Sequence, residues 1–216
     1  KNGQNILIHL PERNVAIKKH ITKFCLNEPE FEYSLFQVFD GEGLKSKIFN
    51  FLNFENHLLT QVLVNEAIIN EKIFEVYDLT DHDKRMVLGK EGESIGSLPV
   101  LAEARTAYLE ETEAIREFPL DHIRDYIESL PTKSFTAEEQ ETIESGFPSL
   151  YQSNNDLEEF CIRHQVNPIN VWYWFKQSKV IPQQRMHTLA MEFLVDMVRE
   201  IELYSEIGRA SCRERV

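Results

Sequence analysis

The sequence predicts a mainly α-helical protein, with a three-helix helix-turn-helix over about residues 135–179 and an N-terminal region that is also helical. Apolar residues recur every three or four positions in many segments, which is the period of an α-helix. Residues that typically begin and end helices delimit three short segments in the C-terminal half. With 216 residues, of which 42% are hydrophobic, the chain is long enough to bury a sizeable core.

Residues 1–80 are expected to form a compact helical unit, whose role the sequence leaves open. Three groups of apolar residues have helical spacing: Val15, Ile17, Ile21 and Phe24; Leu44, Ile48, Phe49 and Leu52; Leu58, Leu59, Val62, Leu63, Ala67 and Ile68. The stretches 6–10 and 73–77 could instead be short strands. Residues 81–99 contain three glycines and two serines ahead of Pro99, so they are the clearest candidate for a linker.

Two acidic helices are expected over residues 100–131, from about 100 to 116 and from about 120 to 130, with Pro131 closing the second. The first helix of the helix-turn-helix then begins at Thr136, because Thr136 and Glu139 have the spacing of a capping box. Ile143 and Phe147 form its apolar face. It ends at Phe147, because the residue before a proline avoids helical geometry.

The second and third helices show the same kind of signals. Ser153 followed by Asp156 predicts a second start, and four residues continue with helical spacing: Leu157, Phe160, Cys161 and His164. Asn167 is the expected cap of the third helix, with Pro168 in its first position, where the missing N–H costs nothing. One side of this helix carries Val171, Trp174, Phe175 and Ser178. The other side carries Tyr173, Lys176, Gln177 and Val180.

These residues resemble the homeodomain family over about residues 132–182. The spacing of that family's core is matched by eight residues: Phe135, Ile143, Phe147, Phe160, Val166, Val171, Trp174 and Phe175. Tyr151 stands in the loop where the family has a phosphate-contacting tyrosine, once one residue is removed from the loop. The resemblance implies that the third helix is a recognition helix, which lies in the major groove of DNA.

The resemblance also implies a function and a set of contact residues. Tyr173, Lys176, Gln177 and Val180 would read bases, and Lys176 could donate to guanine O6 and N7. Lys133, Tyr151, Asn170 and Lys179 would contact the DNA backbone. The expected function is therefore sequence-specific DNA binding by a nuclear regulator of transcription, with double-stranded DNA as the partner.

Several residues depart from the family's pattern. Gln177 replaces the adenine-reading Asn, the basic arm is reduced to Lys133, and Pro182 stops the third helix early. The whole chain has a net charge of −13, and residues 132–182 hold four basic against seven acidic residues, a net charge of −3. Few phosphates can be neutralised, so weak DNA binding is expected. The alternative is a homeodomain-like protein-interaction module that no longer binds DNA, in which Trp172 covers a partner or neighbouring helices.

A last helix is expected over residues 183–205, where one face is apolar: Met186, Leu189, Phe193, Met197 and Ile201. This helix could pack on its own chain, bind a protein partner or pair with a second copy. Residues 206–216 back-translate to what looks like a common sequencing adapter, so we expect them not to be native.

Other classes of function find little support in the sequence. No membrane span, cofactor or metal site is expected, and Cys25, Cys161 and Cys212 are too widely spaced for a zinc site or a disulfide framework. We do not expect an enzyme, because nucleophile-elbow and P-loop motifs are missing. The run from Gly89 to Gly92 resembles the G-x-x-G loop of RNA-binding KH domains, although glycines in a plain linker would give the same pattern.

Overall fold

A computed structural model of the chain describes residues 2–111, 116–152 and 156–213. Within these ranges the fold is mainly α-helical and has no β-strand, which confirms the predicted class. The α-helices are α1 (Asn2–Thr22), α2 (Leu35–Val38), α3 (Leu44–Val76), α4 (Asp81–Glu91), α5 (Ala102–Glu110), α6 (Arg124–Ser129), α7 (Ala137–Glu144), α8 (Leu157–His164), α9 (Pro168–Ser178) and α10 (Gln183–Arg213). Two 3₁₀ helices span Ile95–Ser97 and Phe147–Ser149.

The 33-residue helix α3 is the centre of the fold, and α1, α2, α8, α9 and α10 pack around it. Because neighbours surround α3, several of its polar residues are buried together with its apolar ones: Glu55, Asn56, His57, Thr60, Gln61 and Asn65. A buried polar group is costly unless it is hydrogen-bonded. The Asn65 amide, for example, donates to Asn14 Oδ1 of α1 at 2.7 Å.

The N-terminal region is helical, and the strand alternative for its two stretches is wrong. Residues 6–10 lie within α1, and residues 73–76 form the last turn of α3, with Tyr77 as its C-cap. Both stretches take the helical state because they extend helices whose buried faces pack on the rest of the core, and tertiary packing outweighs a local preference for strands.

The expected linker contains ordered structure. Thr80 and Asp83 form a capping box that starts α4, and Gly92 ends this helix with a φ of 85°. Gly96 lies in the 3₁₀ helix that packs on α3, where a Cβ atom would stand 2.5 Å from the Leu63 carbonyl oxygen. Gly92 therefore serves as a helix cap and Gly96 as a point of close approach, two roles that do not require a flexible segment.

The acidic helices are shorter than predicted. α5 ends at Glu110, and the predicted continuation to residue 116 includes residues 112–115, which lie outside the described residues. α6 covers only Arg124–Ser129 of the predicted stretch 120–130. Val100, which lies between α4 and α5, pairs with the residues on either side of Thr132. The Val100 N–H donates to the Pro131 carbonyl, and the Val100 carbonyl accepts from the Lys133 N–H, both at 2.9 Å.

The three helices predicted over 135–179 are present as α7, α8 and α9. The Thr136–Glu139 capping box begins α7, and Asn167 caps α9 by accepting from the Ile169 N–H at 2.9 Å. Asp156 caps α8, while Ser153 lies outside the described residues. α9 ends at Ser178, before Pro182, with Lys179 in the left-handed conformation.

The last helix, α10, extends from Gln183 to Arg213 and so continues into the stretch predicted to be non-native. Its first half packs on its own chain: Leu189 is 2% exposed, and the rings of Phe193 and Phe36 lie 4.8 Å apart. Two residues of the predicted packing face, Met197 and Ile201, are instead 44% and 64% exposed. The contacts of α10 with the core at this level are made instead by Asp196, which accepts from the Ser34 hydroxyl, and by Arg199, which lies over the Phe31 ring.

Candidate functional site

The predicted recognition helix α9 is covered on two sides. One side packs on α7 and α8, and the other packs on α3 and α5. On the first side, the Trp174 ring meets Phe135 edge-on at 5.1 Å, and the Phe175 ring meets Phe147 at 5.8 Å. These contacts join residues that the sequence pattern had assigned to one core.

The second side of α9 centres on Trp172, which is fully buried. Its ring lies edge-on against His57 of α3 and Tyr108 of α5, each at 5.2 Å, and these two rings stack on each other at 4.2 Å. Burial lowers the pKa of His57 to about 3, so its ring is neutral at physiological pH. Trp172 therefore covers neighbouring helices of its own chain.

The four predicted base-reading positions have unequal access to solvent. Gln177 is exposed, whereas Tyr173, Lys176 and Val180 are partly buried. The Lys176 ammonium donates to Glu111 Oε2 at 2.5 Å and also lies 5.3 Å from the centre of the Trp172 ring. The lysine predicted to read guanine is therefore held by a carboxylate at the end of α5.

Asn170 is not at the surface, contrary to its predicted contact with the DNA backbone. It is fully buried, its Oδ1 accepts from the Leu101 N–H at 2.8 Å, and its Nδ2 donates to the Pro99 carbonyl at 3.2 Å. Asn167 acts alongside it and donates to the Leu98 carbonyl at 2.7 Å. Both asparagines thus fix residues 98–101, which lead into α5. The backbone groups of these residues lie outside a helix and therefore need side-chain partners.

Tyr151 also departs from its predicted contact with phosphate. It is partly buried, its hydroxyl donates to Asn56 Oδ1, and the Arg185 guanidinium lies over its ring at 5.6 Å. Burial raises the pKa of this hydroxyl well above its ordinary value. The loop tyrosine therefore joins α3 to α10, and its hydroxyl is taken up by Asn56 of the same chain.

The two lysines predicted to contact the DNA backbone differ from each other. Lys133 bonds to Glu139 Oε1 at 3.1 Å and lies 4.4 Å from the centre of the Phe135 ring. Lys179 is exposed at the C-terminal cap of α9. Of the eight predicted contact residues, Lys133, Gln177 and Lys179 are exposed. Lys133 is paired with Glu139, so Lys179 is the one cation of the three without an acidic partner among the described residues, too little to form a cationic surface for phosphates.

Replacing Asn170 with alanine is expected to lower the free energy of unfolding by about 1–3 kcal/mol, because two partly buried backbone groups, the Leu101 N–H and the Pro99 carbonyl, lose their partners. Urea denaturation followed by circular dichroism measures the loss. Gln177→Ala, on the exposed side of the same helix, is the control and should change stability by less than about 0.5 kcal/mol. Equal stability of the two variants would show that Asn170 does not hold the 99–101 segment.

One ion pair, between Glu55 and Arg185, was not predicted from the sequence. The Arg185 guanidinium donates to both carboxylate oxygens, at 2.6 and 2.7 Å, and the Glu55 residue is only 7% exposed. The two residues are 130 positions apart, on α3 and α10. A charged residue in the middle of the apolar run of α3 is the only sequence signal that could have indicated a buried partner.

An exposed apolar surface lies on α10, on the side turned away from the core. It is formed by five residues, which we call the α10 apolar face: Met191, Leu194, Val195, Val198 and Ile201. Each is between 47% and 64% exposed. Of these five residues, only Ile201 belongs to the apolar face that the sequence predicted; the other four extend the apolar surface beyond that predicted stripe.

Two features of the described residues bear on other functions. No group of three or more His, Cys, Asp or Glu side chains is placed to hold a metal ion there, and none of the described helices is long and apolar enough to span a membrane. Comparisons with protein-family models, curated proteins and solved structures find no match for this chain.

Proposed function

We propose that this chain is a helical protein-interaction module, in which the homeodomain-like third helix serves as a packing element and the interaction surface lies elsewhere. The observation that carries the proposal is the burial of Trp172 between α3, α5 and α9, together with the Lys176–Glu111 ion pair. A residue in this position of a DNA-reading helix would face solvent.

The dimensions of DNA support the same proposal. The major groove is roughly 12 Å wide and admits one helix, whose diameter with side chains is about 10–12 Å. α5 packs directly on α9, and packed helices lie about 8–10 Å apart. The pair is therefore roughly 20 Å wide, and α9 can enter the groove only if α5 moves away.

The charge near α9 also disfavours phosphate. Glu111 neutralises Lys176, and Glu139 neutralises Lys133. On α8, the helix expected to cross the DNA backbone, Arg163 is paired with Glu159 at 2.7 Å. Since affinity for nucleic acid depends on unpaired cations that displace counterions, the electrostatic term is small.

A selection from a random pool of duplexes, at low and at physiological salt, tests the proposal. We expect no enriched sequence, and no saturable binding below about 10⁻⁴ M in fluorescence anisotropy at physiological salt. The chain with Gln177→Ala is run in parallel. Enrichment of a preferred site by the unmodified chain, with loss of that site in Gln177→Ala, would contradict the proposal and favour a DNA reader.

The second candidate is a nuclear DNA-binding regulator whose third helix is released by opening. It is favoured by the buried polar groups where α9 meets α3: the two ring nitrogens of His57 and the Trp172 indole N–H have no hydrogen-bond partner among the described residues. Such groups make an interface less stable. Glu111→Gln, which frees Lys176, should then raise DNA affinity at least about threefold. Unchanged affinity would leave the interaction module as the better proposal.

A further inference from the structure

An open cavity of about 390 Å³ lies where α1, α3 and the segment around α2 meet. Its volume falls within the range of roughly 300–1,000 Å³ that is usual for ligand sites. Five aromatic rings from separate parts of the chain form most of its lining, and we call it the aromatic cavity after them: His20, Phe24, Tyr33, Phe39 and Phe54. Arg116 and Glu117 also line it.

The rings of the aromatic cavity are inclined to one another. The Phe24 ring is central, and three neighbouring rings have their centres 5.6–5.9 Å from its own, with planes inclined to it by between 41° and 74°: Tyr33, Phe39 and Phe54. The face of an aromatic ring carries partial negative charge. Inclined rings around one space therefore suit a quaternary ammonium group, which binds over ring faces.

The charges beside the aromatic cavity also favour a cation. The Glu117 carboxylate is 63% exposed, and its Oε2 lies 2.9 Å from His20 Nδ1. Burial lowers the pKa of His20, so this ring is neutral at physiological pH and the carboxylate keeps its charge. The Lys23 ammonium lies 5.7 Å from the centre of the Tyr33 ring, so this ring already has one cation beside it.

We infer that the aromatic cavity binds the trimethylated side chain of a lysine on a partner protein. This inference rests on the proposed interaction function and names the chemistry of the partner. An ordinary lysine has three N–H donors, and walls made mainly of rings would leave most of them without an acceptor once water is lost. A trimethylammonium group has the same charge and no N–H, so it enters without that cost.

The charge of the chain favours a peptide over a lipid as the source of this group. A chain with a net charge of −13 attracts a basic peptide. A choline head group instead brings a phosphate, which the same charge repels. Arg116 is exposed at the cavity and has the same sign as the ligand, so it opposes binding. Its replacement therefore distinguishes a cationic from an anionic ligand.

An NMR titration of the whole ¹⁵N-labelled chain tests the inference. The probe is a ten-residue glycine–serine peptide with one trimethyllysine at its centre. Two comparison peptides carry an ordinary lysine or the neutral analogue in which carbon replaces the ammonium nitrogen. We expect saturable shifts at the amides of the aromatic cavity, with a dissociation constant below about 1 mM for the probe and at least about tenfold higher for both comparison peptides.

Replacing Tyr33 tests the walls, because it is the most exposed ring of the set, at 38%. Tyr33→Ala should raise the dissociation constant about three- to fivefold, whereas Tyr33→Phe keeps the ring and should leave it unchanged. Tyr77→Ala is the matched control. Tyr77 is 73% exposed at the end of α3, outside the cavity, and this variant should bind normally.

Two further variants test the sign of the ligand's charge. Glu117→Gln should raise the dissociation constant about threefold, and Arg116→Ala should lower it, because the first removes an attractive charge and the second a repulsive one. An anionic ligand would reverse both effects. Weaker binding of the probe by Arg116→Ala would therefore overturn the inference.

Three other results would also overturn it. One is the lack of saturable shifts at the cavity up to about 5 mM probe, and another is equal affinity for the neutral analogue, which would indicate an apolar site only. The third is binding to phosphatidylcholine vesicles but not to the probe, which would assign the cavity to a lipid head group. None of these results involves DNA, so the duplex selection can still uphold or contradict the proposed function by itself.

Discussion

Trp172→Ala is expected to lower the free energy of unfolding by about 3–5 kcal/mol, which is the usual loss for a large buried aromatic side chain. The indole fills the space between α9, His57 and Tyr108, and none of its surface is exposed. Its removal leaves a cavity that rigid helices on three sides cannot close. Equilibrium unfolding in urea, monitored by far-UV circular dichroism, gives the value.

Tyr173→Ala is the control for this experiment, because Tyr173 is the next residue on the same helix and is only partly buried. The free energy of unfolding should fall clearly less for Tyr173→Ala than for Trp172→Ala. If α9 were instead a DNA-reading helix, Trp172 would face solvent, and its replacement would lower the free energy of unfolding by less than about 1 kcal/mol. A Trp172→Ala chain as stable as the unmodified chain would show that α9 does not pack on α3 and α5.

The sequence was informative about α9 where the signals are local. Asn167 caps the helix and Pro168 takes its first position, and Pro182 stands a few residues beyond its end, so each signal acts within a few positions of the residues it affects. The side of α9 that carries Trp174 and Phe175 was also predicted, because apolar residues at helical spacing indicate one buried face. The homeodomain resemblance then implied that the opposite face of α9 contacts DNA.

The second buried face could not be predicted from the same pattern. It consists of Trp172, Asn170 and Lys176, of which only the first is apolar. Asn170 is buried because it satisfies backbone groups 69 and 71 positions away, and Lys176 is held by Glu111, 65 positions away. Such partners are set by the tertiary fold, so helical periodicity within α9 does not indicate them.

Glycines were misleading for a related reason. Gly92 and Gly96 lie in a segment whose composition is typical of a linker, yet one ends α4 and the other allows close packing on α3. Glycine serves flexible chains and tight contacts equally well. The Thr80–Asp83 capping box was the local signal that favoured a helix here, and it is visible in the sequence.

Arg185→Ala is expected to lower the free energy of unfolding by about 3–5 kcal/mol, because it leaves the buried Glu55 carboxylate without its partner. The contact joins α10 to α3, and the guanidinium also lies over the Tyr151 ring, so the change weakens the base of the helix that carries the apolar face. Thermal and urea unfolding both measure the effect.

Arg163→Ala is the matched control, since Arg163 forms an ion pair of similar length with Glu159 but both side chains are about half exposed. Solvent screens that pair, and its loss should have little measurable effect. The double variant Glu55→Gln with Arg185→Met removes both charges together and should be more stable than Arg185→Ala alone, because no buried charge is left unpaired. If the double variant is no more stable than the single one, packing of the Arg185 side chain, and not its charge, anchors α10 to the core.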